Sequence, residues 1–438
     1  MKIFRLFLDW LIKLISIKRN EEIIMTFIKS KKILLTSFAT LALLAGCSTS
    51  QATSSTATTS TTTTTKTSTT QSSSKKTDYF SEKDYQTTYD DNTTSKVKLS
   101  GSTATVSGDG VSVSGSTVTI SSAGTYVISG QSDGVQIQIT AGESDDVHLI
   151  LNGVTMTNSS AAISATTANH VYLTLADGTT NSLADSSSNT DEDADAALFS
   201  KVDLTINGSG TLKVEGKTNN AIKVNDTLHI TGGTYQITST GDAFNVNDEL
   251  NIAGTKMTVE AGEDAIKVDD EDLTVGNMYL ADNEITISAG DDGIHASGNL
   301  VIDSGTYKVT NSTEGIEGKS ITINDGTIEV YATDDGVNAA NANASSNEIF
   351  FNMNGGNLTV EVGQGDTDAI DANGDINVTG GKIELVGNSG FDYDGTATFT
   401  GGTIIINGQE QTQITNSMMG GGQGGPGQGG PAQGGRGF

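Results

Sequence analysis

The sequence predicts an all-β chain wound as a right-handed parallel β-helix, a solenoid of about 22 residues per coil with three short strands in each. Three observations lead there. First, one phrase, a small residue followed by an apolar one and preceded in its clearest copies by a carboxylate, recurs between Ala162 and Asp392. Its apolar members are Ile163, Leu198, Ile222, Phe244, Ile266, Ile294, Ile316, Val337, Ile370 and Phe391, at steps of 35, 24, 22, 22, 28, 22, 21, 33 and 21 residues. Second, each unit alternates apolar and polar residues with the period of strands and breaks at glycine-rich corners. The run from Leu228 to Thr238 is Leu-His-Ile-Thr-Gly-Gly-Thr-Tyr-Gln-Ile-Thr, and close variants begin at Leu300 and Ile376. Third, the chain holds 52 Gly and only 2 Pro, Pro426 and Pro431, and is dominated by Thr, Val and Ile, which suits corners and strands rather than helices. Right-handedness follows from the general rule for parallel crossovers. Ten or more coils at about 4.8 Å each make a rod about 50 Å long or more.

The elements follow in chain order. Residues 1–24 precede a leader that already looks complete, so translation is expected to start at Met25, with the extension a start-site artefact. Residues 25–46 carry a basic start, an apolar stretch and small residues, the pattern of a secretory signal. It ends in Leu44-Ala45-Gly46-Cys47, which resembles a bacterial lipobox. That resemblance implies lipidation of Cys47, the only cysteine, and tethering to the outer face of the cell membrane. Residues 47–96 read as a disordered linker, nearly all Ser and Thr as far as Lys76 and unable to bury a core. Residues 97–411 form the solenoid, and 412–438 a disordered Gly/Gln-rich tail.

Charge narrows the partners. Against 53 Asp and Glu stand 24 Lys and Arg, a net charge of −29, and the arginines Arg5, Arg19 and Arg436 all lie outside the repeats. Nucleic acid is excluded as a partner, and the acidic surface calls for cations.

If the apolar residue of each phrase points inward, the residue two before it stands at a corner, and successive coils stack these corners. The stack reads Asn220, Asp242, Asp264, Asp292, Glu314, Asp335 and Asp368. Carboxylates about 5 Å apart repel by about 0.8 kcal/mol in water and about 3 kcal/mol at an effective dielectric near 20. Either several stay protonated or cations sit between them. Glu263, Asp291 and Asp334, one position earlier, and the insertion Asp269-Asp270-Glu271-Asp272 add oxygen donors. Hard oxygen ligands with few histidines suit calcium. The alternative is that these acids cap backbone amides at the corners.

The residue after each apolar one faces outward: Ser164, Phe199, Lys223, Asn245, Lys267, His295, Glu317, Asn338, Asp371 and Asp392. Such a row beside an acidic edge reads as a groove for an extended polysaccharide, with Lys223, Asn245, Lys267, His295 and Asn338 as sugar contacts, or as a solvated sheet face.

The repeats Gly-Asp-Ala-Phe-Asn-Val, Glu-Asp-Ala-Ile-Lys-Val and Asp-Asp-Gly-Ile-His-Ala, with the leader and the Gly/Gln-rich tail, resemble bacterial carbohydrate-binding β-helix lipoproteins, related in fold to calcium-dependent pectate lyases. The resemblance implies an extracellular, calcium-containing right-handed β-helix that binds acidic polysaccharide such as polygalacturonate, or else cellulose; the chain is also expected to be a monomer. By that resemblance, calcium ligands come from Asp242, Asp264, Asp292, Glu314 and Asp335, and sugar contacts from Lys223, Asn245, Lys267 and His295. An arginine-base lyase is excluded. A lysine-base lyase acting through Lys223 or Lys267 is the alternative, opposed by neighbouring acids that raise a lysine's pKa. A calcium-stiffened surface adhesin or spacer is a third reading. The tyrosines Tyr172, Tyr235, Tyr279, Tyr307 and Tyr331 fall at alternating strand positions, where packing accounts for several. The histidines His148, His170, His229 and His295 are too scattered for a zinc motif.

Overall fold

In the computed structural model, residues 78–417 are described, apart from 91, 271–273 and 366. The leader, Cys47, the Ser/Thr tract up to residue 77, Glu271 and Asp272 of the acidic insertion, and the tail from 418 lie outside the described residues. The described chain is a parallel β-solenoid of about 12 turns in which 36 strands form one continuous sheet. Two 3-10 turns, Glu82–Tyr85 and Ser346–Glu348, accompany the strands.

Every apolar member of the repeat phrase pairs with the next, from Ile163 opposite Leu198 through to Ile370 opposite Phe391. The ladder extends two coils further toward the N-terminus through Ile137 and Val118, where the phrase itself is missing. Long steps are taken up outside the strands. The 35-residue step contains the loop from Asp185 to Asp195, and the 33-residue step contains the turn at Ser346–Glu348. Each coil therefore keeps its inward apolar side chains over those of its neighbours, and Phe244, Ile266, Ile294 and Phe391 are wholly buried. Corners are tight because glycine supplies backbone that other residues resist: Gly232 and Gly233 have φ of 79° and 87°.

Both ends are closed by antiparallel strands. Ser95–Gly101 pairs with Thr103–Ser107, and Val111–Ser114 with Thr117–Ile120, at the start; Gln409–Gln411 folds back on Thr403–Ile406 at the end. Hairpins at a solenoid's ends blunt edges that would otherwise template further strands.

The folded region is longer than the 97–411 read from the repeats. Asp78–Gln86 packs along the solenoid, with Phe80 and Asp84 buried, and Asn416 is buried at the far end. These stretches carry few apolar residues and no repeat, so periodicity alone does not reveal them.

The small residue of the phrase has a steric cause. It is alanine at Ala221, Ala243, Ala265 and Ala369, all fully buried, but glycine at Gly293, Gly315 and Gly336. A methyl group on Gly315 would overlap Val330 Cγ1 and the Gly336 carbonyl of the next coil. Gly315→Ala is expected to cost about 1–3 kcal/mol by overpacking, measured as a lower denaturation midpoint at unchanged slope.

Candidate functional site

The corner acids do stack, and each uses its two oxygens differently. Asp242 Oδ1 accepts the Asp264 amide at 3.0 Å, Asp264 Oδ1 the Asp292 amide at 2.9 Å, and Asp335 Oδ1 the Asp368 amide at 2.8 Å. One oxygen thus caps the corner of the next coil. The other turns toward the outward residue three positions on: Asp242 Oδ2 accepts from Asn245 at 2.6 Å, Asp264 Oδ2 from Lys267 Nζ at 2.7 Å, and Asp292 Oδ2 lies 3.0 Å from His295 Nδ1. Glu314 Oε2 accepts from Asn338 at 3.0 Å. Amide capping and side-chain pairing therefore coexist on the same residues.

The outward ladder is in register from Ser164 through Phe199 to Asp392. Its N-terminal end is covered: Phe199 is 1 % exposed and clusters with Ala161 and with Ala194 of the 185–195 loop. The open row begins at Lys223.

Charge divides this row in two. In the N-terminal half, cations of the protein meet the acids. Lys223 pairs at 2.7 Å with Asp195, an acid of the preceding coil, and not with the corner acids the sequence points to. Burial pushes the Asp195 carboxyl up, but hydrogen bonds from Lys223 and Asn219 hold it below its ordinary value. Lys267 is depressed by burial, yet its bond to Asp264 and the nearby Asp242 and Asp269 hold it above the usual lysine value. His295 Nδ1 sits 3.0 Å from Asp292 and 2.6 Å from Glu317. Burial disfavours its charge, but the two carboxylates push it up to about 10, so it is a fixed cation at neutral pH. Asp292 is itself pushed up to about 6, by burial first and by the charges of Asp264 and Glu317 in addition.

In the C-terminal half no lysine or histidine stands on either ladder. Burial pushes Glu314 up to about 7, with Glu317, Asp292 and Asp335 adding to it against the Asn338 hydrogen bond. Asp371 is pushed up to about 7 by burial and by Asp335, Asp392 and Asp368. Asp335 is raised by burial and by Asp334, Asp368 and Asp392. Ser389 donates to Asp368 Oδ1. Asn338 Oδ1 is buried there without a hydrogen-bond partner among the described residues.

Two sets bring three ligand atoms within 4.8 Å of one another: Asp264, Asp291 and Asp292, and Asp292, His295 and Glu317. The first is all oxygen, although Asp264 already serves Lys267 and the Asp292 amide. The second holds a protonated histidine and would have to release that proton to bind a metal. Glu263 and Asp334, like Asp291, are exposed at the rim.

Sequence reasoning misses Asp195, and it misses a further carboxylate stack at the next corner. There Asp203 and Asp248 flank Asp226, whose carboxyl is raised by burial and by Asp203. A signal existed: Asn225-Asp226 and Asn247-Asp248 recur 22 residues apart just before Leu228 and Leu250. Of the tyrosines, Tyr235 and Tyr307 are core residues and Tyr331 is exposed.

Fold and ladders together define a parallel β-solenoid with an acid-edged outer face. The chain belongs to the carbohydrate-binding domain-containing protein family, whose profile matches residues 114–300 and 291–420. A carbohydrate-binding domain-containing protein of Acetivibrio thermocellus is 34% identical over 135 residues, covering 30% of this chain and 47% of that protein. The chain thus spans about half the length of the curated relative it matches. Among solved structures, a polysaccharide lyase-like protein from C. thermocellum, studied as a gadolinium derivative, aligns with a TM-score of 0.34 and 22% identity, over 70% of this chain and 99% of that one.

Proposed function

We propose that this protein binds acidic polysaccharide of the polygalacturonate kind, without cleaving it, on the outward face running from Lys223 to Asp392, with calcium held at the C-terminal coils. The observation that carries this reading is the C-terminal half of the ladder, where Glu314, Asp335, Asp371 and Asp392 stack with no lysine or histidine on either ladder among the described residues. In kind, the donors suit a hard cation, being carboxylates plus the buried Asn338 Oδ1, which has no hydrogen-bond partner among the described residues. Bound calcium would supply positive charge shared between these carboxylates and the uronates of a glycan. Lys223, Lys267 and His295 add fixed positive charge further along the same face, and Asn245 and Asn338 add amide hydrogen-bonding groups. Family membership supports carbohydrate as the ligand class. The charge pattern favours an anionic one.

A lysine-base lyase finds less support, because Lys267 is stabilised in its charged form by Asp264. We propose further that the protein acts as a monomer on the outer face of the cell membrane, held by a lipid anchor, a reading that the leader and the lipobox-like Leu44–Cys47 support.

Calorimetry with calcium and then polygalacturonate tests the reading, with absorbance followed for unsaturated product. Calcium binding followed by sugar binding without product is expected, and both should weaken at least about tenfold in Glu314→Gln/Asp371→Asn, which removes two charges from the set. Sugar binding indifferent to chelator would overturn the calcium part. Product lost in Lys267→Ala would establish the lyase.

The same groups predict a pH dependence. Glu314 and Asp371, pushed up to about 7, bind protons more tightly folded than unfolded. The stability this gives is present at low pH and is withdrawn as pH rises through about 7. His148 and His170, pulled down to about 4 by burial, act in the opposite sense and reach their full effect about one unit above the ordinary histidine value, but His295, pushed up to about 10, loses stability over the same interval and reinforces the carboxylates. Metal-free protein should therefore melt at lower temperature at pH 8 than at pH 6.5. The gain in melting temperature from added calcium should be larger at pH 8, where protons no longer compete for the carboxylates.

A further inference from the structure

A second outward ladder lies on the adjoining face, built by His170–Leu175, Leu204–Gly208, Thr227–Thr231, Glu249–Ala253 and Asn277–Ala281. Tyr172, Thr205, His229, Asn251 and Tyr279 stand in register along it. The chain's own segment Asp78–Gln86 crosses this row from coil to coil. Tyr79 stacks flat on Tyr279, with ring centroids 3.8 Å apart and planes 10° apart. Phe80 sits edge-on to His229 and Tyr279. The Asp84 carboxylate accepts from Thr205 Oγ1 at 2.6 Å, and His229 Nδ1 lies 3.2 Å from its other oxygen, an ion-pair distance.

Nearly all polar contacts run one way. Thr205, Asn207, Thr231 and Asn251 on the solenoid donate, and carboxylate or carbonyl oxygens of the segment accept, at Asp84, Gln86 and Tyr79. Among the described residues, Lys83, bonded to Asp146 at 2.8 Å, reverses the direction. The face is therefore an array of donors between two tyrosine rings, and its present occupant offers it a flat ring and a carboxylate.

A uronate-bearing sugar chain offers the same two things: a ring face that stacks on tyrosine, and acceptor oxygens that include a carboxylate. We infer that this face is a second binding site for an anionic glycan, and that the Asp78–Gln86 segment is its built-in competitor, occupying the seat until a glycan displaces it. Exchanging the Asp84 carboxylate for a uronate leaves the charge at the seat unchanged, so the nearby Asp203 and Glu249 do not penalise the swap relative to the closed state. An open cleft of about 500 Å³ beside the segment, lined in part by Tyr172, His170, Thr227 and His229, gives the incoming chain a place to start. The apparent affinity of such a site is its intrinsic affinity reduced by the fraction of molecules in which the segment is lifted.

The inference rests on the acidic-polysaccharide reading, and its test separates the two. Polygalacturonate binding is measured on the full chain and on Tyr79→Ala/Asp84→Asn, and hydrogen exchange over residues 78–90 is followed in the unmodified protein with and without saturating polygalacturonate. Weakening the competitor should tighten binding by about fivefold or more, or reveal an added class of sites. Exchange over 78–90 should quicken when glycan is present. If the unmodified protein binds with exchange over 78–90 unchanged or slowed, the competitor is refuted while the acidic-polysaccharide reading stands. If neither protein binds, that reading falls and takes this inference with it. Should the double variant fail to fold, the exchange measurement on the unmodified protein decides alone.

Discussion

Asp264→Ala is expected to destabilise the solenoid by about 3–5 kcal/mol, toward the lower end because its partner is partly solvated. Asp264 is 4 % exposed and serves two groups at once, the Asp292 amide through Oδ1 and Lys267 Nζ through Oδ2. Alanine leaves a buried amide without an acceptor and a partly buried ammonium without a counter-charge, and each loss costs more than the intact bond contributes. Adding Lys267→Met should recover part of the loss, because the orphaned charge is then gone. A double-mutant cycle from denaturant unfolding in chelator measures that coupling. Full additivity of the two substitutions would show that the pair holds nothing together. Done in chelator, the experiment isolates the structural role of the corner acid from any role in holding a cation.

Phe244→Ala should cost about 3–5 kcal/mol, as a cavity within the apolar stack. Phe244 is wholly buried between Ile222 of one coil and Ile266 of the next. A solenoid coil touches only its neighbours, so the loss is local, and coils on either side retain their own contacts. Unfolding should lose two-state character, and amide exchange should quicken first in Asn220–Val224, Phe244–Val246 and Ile266–Val268. Uniform acceleration of exchange along the whole rod would count against this nearest-neighbour picture.

Much of this architecture was legible in the chain. The recurring small-apolar pair gave the register of an entire sheet face, because a side-chain period of two permits only one alignment that keeps every Ile, Leu, Val and Phe inward. The stacking of Asp242, Asp264, Asp292, Glu314 and Asp335 followed from the same register. What each acid meets did not follow. Lys223 stands three residues from Asn220 and one coil from Asp242, yet its partner is Asp195, which the sequence places behind a loop of irregular length. Phe199 occupies an outward position of the ladder and is nonetheless buried, because Ala194 of that same loop folds over it. The Asp78–Gln86 segment has no repeat to announce it. Its partners Thr205, His229 and Asn251 lie well over a hundred residues away in the chain, and only the completed coils bring them into one row.

The sequence by itself determined the coil: its length, its inward and outward faces, its corners and the acidic edge. These depend on interactions repeated at one spacing, so each copy reinforces the others. The tertiary structure decided how charge is compensated along that edge, with Lys223, Lys267 and His295 neutralising its first half while burial and neighbouring carboxylates raise Glu314, Asp335 and Asp371. It also decided which outer face the chain itself covers. A loop sets the Lys223–Asp195 pair and the N-terminal segment sets the covered face, and because these parts break the repeat, their placement depends on donors, rings and charges that become neighbours only when successive coils have stacked.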